Sequence, residues 1–166
     1  ISESTNFNGI KLLDGSMATG VGSTKVQSGL AGAAMSGVTA AGGSAASQAA
    51  STYKSTGLTA GDSSSLEIKY MTADGSINTI SVSVTDATKL DAEVSTALNA
   101  NKDFKENATL TLAAGSITWA GKDKGETHFK ILEVSQTVNG VALTSGDTGV
   151  GAVTAGVDDT FGIDFS

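Results

Sequence analysis

Two stretches of the chain alternate strictly between apolar and polar side chains. Leu66, Ile68 and Tyr70 alternate with Glu67 and Lys69, and Ile80, Val82 and Val84 alternate with Ser81 and Ser83. Successive strand residues point to opposite faces, so this period marks two half-buried strands. Asp74-Gly75 between them is a hairpin turn pair, because both residues tolerate positive φ. The period then changes. Leu90, Val94, Ala97 and Leu98 fall at i, i+4, i+7 and i+8, one stripe of an amphipathic helix. Thr85 or Asp86 can cap that helix by accepting a first-turn amide. The Asn-rich run Asn99-Ala-Asn101 is expected to stop it near residue 99. Its apolar face is expected across the preceding hairpin.

Strand patterns resume at 108–113, 116–119, 127–136 and 138–143, the last around Asn139-Gly140. In the third, Phe129, Ile131 and Glu133 are expected on one face, and Lys130, Leu132 and Val134 on the other. Residues 65–144 therefore read as an α+β core, mainly β: antiparallel hairpins with one helix packed across them. Flanking segments 15–64 and 145–166 are rich in Gly, Ala, Ser, Thr and Val. The first reads either as a flexible linker or as loosely packed strands and loops, with a short helix over 44–54 favoured by Ala and Gln. In the second, residues 161–165 read as a last strand or as a return toward a missing part of the chain.

Composition narrows the function classes. The 166 residues carry a net charge of −7, and all ten basic residues are scattered lysines. Nucleic-acid binding needs a concentrated positive face, so it is not expected. There is no Cys and no Pro, which removes disulfides and thiolate metal sites. Aromatics are 5% of the chain, so a thin two-layer core of Val, Ile, Leu and Ala is expected. No run approaches the roughly 18 apolar residues of a membrane-spanning helix, so no membrane insertion is expected. The chain opens without Met and without a leader pattern, and is expected to be a piece of a longer protein.

Catalytic chemistry finds little footing. A serine triad needs a His, and His128 is the single one, placed inside an expected strand. No G-x-S-x-G elbow and no H-E-x-x-H pair occurs. His128 with Asp123 and Glu126 makes a weak zinc set. Gly15 and Gly20 have phosphate-loop spacing, but Val21 stands where the loop needs Lys. Asp62, Asp74, Asp147, Asp158 and Asp159 lie at turns or in Gly-rich loops without calcium-loop spacing, and read as turn formers. Trp119 and Tyr70 read as strand-face aromatics rather than a sugar platform. No cofactor and no enzymatic activity are expected.

The opening segment 1–14 reads as a hairpin on physics alone: Asn8-Gly9 is a tight-turn pair, Asp14-Gly15 a second, and Phe7, Ile10, Leu12 and Leu13 are apolar anchors. Its order, Thr5, Phe7, Asn8, Gly9, Lys11, Leu12, Leu13, Asp14 and Gly15, resembles the segment of bacterial flagellins where the inner helical part turns outward. The likeness covers about a dozen positions, and none follows Gly15. It implies a structural subunit of the flagellar filament, extracellular, serving motility. Its partners would be other flagellin subunits in a helical homopolymer. This chain would be the variable, antigenic outer domain, with lateral contacts between outer domains and Ser/Thr open to O-glycosylation. The alternative class is a glycan- or surface-binding β domain of a bacterial adhesin.

Overall fold

The structure, a computed structural model, describes residues 6–7, 10–11 and 35–165, with side chains over 40–161. In chain order the first strands are β1 (Asn6–Phe7), β2 (Ile10–Lys11), β3 (Met35–Ala41), β4 (Ala45–Thr52), β5 (Ser64–Met71) and β6 (Ile77–Val84). A 3-10 turn (Ala87–Lys89) leads into helix α1 (Leu90–Ala100) and helix α2 (Lys102–Asn107). Then come β7 (Ala108–Ala113), β8 (Ser116–Lys124), β9 (Lys130–Val138), β10 (Val141–Ala142), β11 (Val153–Thr154) and β12 (Thr160–Phe165). The fold is mainly β with antiparallel sheets and a helix packed against them. The chain divides into two compact units, Gly43–Asp158 and the remainder.

In the smaller unit, β1 and β2 pair antiparallel with Phe7 opposite Ile10, and β3 pairs antiparallel with β12, Ala41 opposite Thr160. The larger unit holds two four-stranded sheets, β10-β9-β5-β6 and β11-β4-β8-β7. Register in the β5–β6 hairpin follows the period-2 pattern: Leu66 faces Val82 and Ile68 faces Ile80. Thr72 and the Ser76 N–H both donate to the Asp74 carboxylate, and Gly75 takes φ 89° in the turn.

Both sheets turn one face to a shared core, closed by the helices. α1 contributes Leu90, Val94 and Leu98, which lie with Leu66, Ile68 and Val82. Asp86 starts this segment by accepting from the Thr88 N–H, and Asn101 ends α1 in extended backbone. The Asn101 side chain then caps α2 by accepting from the N–H groups of Asp103 and Phe104. At the centre Tyr70, Phe104, Phe129 and Trp119 pack edge-on or tilted, with neighbouring ring centroids 4.9–6.2 Å apart. That geometry sets the positive ring edge against a negative ring face.

Four expectations need correcting. The chain's aromatics are few but concentrated: Trp119, both tyrosines, Phe104 and Phe129 are all in the core, which is not purely aliphatic. Residues 45–52 form a strand and not a helix, since pairing with β8 overrides the helix propensity of Ala. Strand β9 begins at Lys130, because the Thr127 hydroxyl accepts from the Phe129 N–H and bends the chain there. The expected faces of β9 also change. A register shift at Leu132, where Lys69 pairs with Glu133 and Tyr70 with Ile131, puts Val134 and Gln136 inside with Ile131 and turns Glu133 outward. The short helix α2 and the strand β11 have no counterpart in the sequence reading.

Candidate interaction surface

The larger unit is entered and left at one place. Ser44 and Val157 exchange backbone hydrogen bonds of 2.8 Å each way, and the Ser44 carbonyl also accepts from the Gly125 N–H at 3.1 Å. A Cβ on Gly156 would run into the Gly125 carbonyl, so glycine is what permits this crossing. Further along β4 lies a side chain that joins the two sheets. Gln48, 1% exposed on β4, donates from Nε2 to the Ile131 and Gly151 carbonyls, both at 2.9 Å. Its Oε1 accepts from the Trp119 indole at 2.7 Å and the Ile131 N–H at 2.8 Å. Both donors and both acceptor sites of the amide are used.

Two tyrosine–aspartate pairs tie the helices to the sheets. The Tyr53 hydroxyl donates to Asp91 at 2.6 Å, and the Gly115 N–H reaches the same oxygen. Burial, then the bond to Asp91, pushes the Tyr53 phenol well above its ordinary range. The Tyr70 hydroxyl donates to Asp103 at 2.7 Å and accepts from Asn101, and burial again raises its pKa. In each pair the carboxylate accepts the phenol hydrogen bond and so anchors a helix to a sheet.

On the outer face of the β9–β5 pair lies an open hollow of about 600 Å³, lined among others by Ser65, Glu67, Glu133, Ser135, Thr148 and Val150. The 143–150 loop overhangs it, held by the Leu143 N–H on the Gln136 carbonyl and by Lys54–Asp147 at 3.5 Å. Lys69 neutralises Glu133 at 2.6 Å, and that bond raises the Lys69 pKa. The lining offers hydroxyls and carboxylates but no imidazole and no aromatic ring. It contains no base oriented onto a nucleophile.

The residues singled out from the sequence scatter. Phe7 stands in β1 opposite Ile10. Asn8, Gly9, Leu12, Leu13, Asp14 and Gly15 lie outside the described residues, as do Gly20 and Val21. His128, Asp123 and Glu126 are each exposed, and no group of three metal-ligating side chains occurs among the described residues. Asp62 accepts from the Thr59 N–H and hydroxyl and from Asn139 Nδ2 at 2.7 Å, which holds its carboxyl below the usual range. It thereby latches the 59–63 turn to the Asn139-Gly140 hairpin, where Asn139 takes φ 50°. Trp119 is 1% exposed and is a core residue, not a surface platform.

One surface stands out from these. Strand β6 is the rim of its sheet, pairs with β5 alone among the described residues, and exposes Ile77, Thr79, Ser81 and Ser83. Sequence reasoning found the strand but not its position at the rim. It missed the Gln48 network altogether. In comparisons with known proteins, no family model and no curated protein matches the chain.

Proposed function

We propose that this chain is the outer, solvent-facing domain of a bacterial flagellar filament subunit, with a structural and not a catalytic role. The observation that carries the reading is the run from Thr5 through Phe7, Asn8, Gly9, Lys11, Leu12, Leu13 and Asp14 to Gly15, which resembles the outward turn of flagellins. The layout of the larger unit supports it. A domain inserted into a longer chain must be entered and left side by side, and the Ser44–Val157 pair does that. Within the smaller unit, strands β3 and β12 likewise pair antiparallel, so that unit too is entered and left side by side. A hollow without aromatic rings gives the glycan-binding alternative no particular support.

On this reading the partners are further subunits of a helical homopolymer outside the cell, and the work done is mechanical. Immunogold electron microscopy with antibody raised against the chain tests it. Regular label along flagellar filaments is the expected result. Label on the cell wall or on other fibres, with bare flagella, overturns the proposal in favour of an adhesin.

A further inference from the structure

A strand at a sheet rim leaves half of its backbone N–H and C=O groups without a ladder partner, and natural sheets blunt such rims. Two of the four rims in the larger unit are blunted by their shortness, since β10 and β11 have two residues each. β7 has six residues, and β6, whose core side meets α1, is the longest of the four. It has eight residues, Ile77-Asn-Thr-Ile-Ser-Val-Ser-Val84, with no charge, no proline and no glycine. All eight pair with β5, and no backbone bond from a described residue reaches the other side.

We infer that β6 docks antiparallel against β6 of a second copy of this chain, joining the two sheets into one of eight strands. The partner follows from charge and symmetry. Two chains of net charge −7 repel except where they meet through neutral surface, and β6 is an uncharged strip. An antiparallel strand is also its own complement about a two-fold axis. With the axis at Ser81, Ile80 of one copy meets Val82 of the other on the core side. Thr79 meets Ser83 on the outer side, a favourable cross-strand hydroxyl pair. The same register carries the end of one copy bearing Lys89 toward the Asp74 turn of the other. Lys89 is 70% exposed and only loosely paired with Asp86 at 3.7 Å. The inference rests on the rim itself and stands or falls apart from the filament reading.

The chain has no cysteine, so one introduced thiol reports the contact. Ser81→Cys lies on the two-fold axis, where Cα atoms of an antiparallel pair are about 4.5–5.5 Å apart, within disulfide reach. Mild oxidation is expected to give a covalent dimer from Ser81→Cys and none from Thr111→Cys on the β7 rim. In sedimentation the unsubstituted chain is expected to shift toward dimer with concentration. Ser81→Lys, which sets two ammonium groups face to face, is expected to lose that shift while keeping its circular dichroism spectrum. A monomer at every concentration, or equal cross-linking at both positions, overturns the inference.

Discussion

Replacing Gln48 by Leu tests how the two sheets are held together. The substitution nearly conserves volume but removes the amide. Four groups then lose their partner: the Trp119 indole N–H, the Ile131 N–H and carbonyl, and the Gly151 carbonyl. A buried polar group left unsatisfied costs about 1–3 kcal/mol. The low end for all four is about 4 kcal/mol. Gly151 is only partly buried and can turn to water, and the added methyl groups return about 1 kcal/mol. The expected loss is therefore about 3 kcal/mol. For a unit of roughly 100 residues, 1 kcal/mol moves Tm by about 4–8 °C, so a fall of about 12–24 °C is expected.

Thermal and urea unfolding, followed by circular dichroism and by fluorescence of the single tryptophan, measures it. Trp119 adds a local readout, because its indole loses a 2.7 Å bond in the folded state. Gln48→Glu supplies the contrast. At neutral pH its carboxylate would face the Ile131 and Gly151 carbonyls, so it is expected to be at least as destabilised. Acidification should return part of the loss, since the protonated acid regains one donor. A Gln48→Leu loss below about 1 kcal/mol would refute the reasoning, since the amide would then be no more than filler.

Three further outcomes follow from the same geometry. The Asp62, Asp74 and Asp86 carboxyls are each held below their ordinary value by hydrogen bonds from Asn139, Thr72 and Thr88 respectively. Such groups stabilise the fold above the unfolded carboxyl pKa of about 4 and lose that contribution as pH falls through the folded values. Urea midpoints measured from pH 7 to pH 2 should therefore drop on the acid side, and Asp62→Asn should flatten part of the drop; an unchanged acid limb would count against the latch. Tyr53 and Tyr70 both resist ionisation, so absorbance at alkaline pH should show neither phenol titrating near the ordinary value of about 10 while the fold persists. Stability should fall as pH rises through that value, because the unfolded chain releases protons that the folded chain retains. Gly115→Ala should lose about 2 kcal/mol or more, since φ is 68° and the new Cβ would meet the Tyr53 carbonyl at 2.6 Å. Gly75→Ala, with φ 89° and open space, should lose about 1 kcal/mol; equal denaturation midpoints for the two would remove the steric argument.

The β5–β6 hairpin and α1 were legible because each buries one face under large aliphatic side chains, so the periods of 2 and 3.6 survive in the sequence. The faces of β9 were misread because Leu132 and Val134 are both apolar, so the sequence did not mark Leu132 as the extra residue that moves Val134 to the buried side with Ile131. Strand β4 left no periodic trace. Ala, Ser and Thr occupy both of its faces, so its sidedness is set by Gln48, Ser51 and Tyr53 and by pairing with β8. Helix α2 is one turn and a half around a single buried residue, Phe104, which is too short for a periodic pattern to show. These cases share a cause. A chain built largely of small residues concentrates its bulk at a few points, such as the edge-on contact of Trp119 with Phe129 between the sheets, and elsewhere the apolar contacts are small. Gln48, and Gln136 bonded to both the carbonyl and the N–H of Lys54, add directional contacts to those of the rings. That explains why fully buried amides sit in this core, and why a hydropathy pattern, which counts Gln as surface, could not reveal how the sheets are joined.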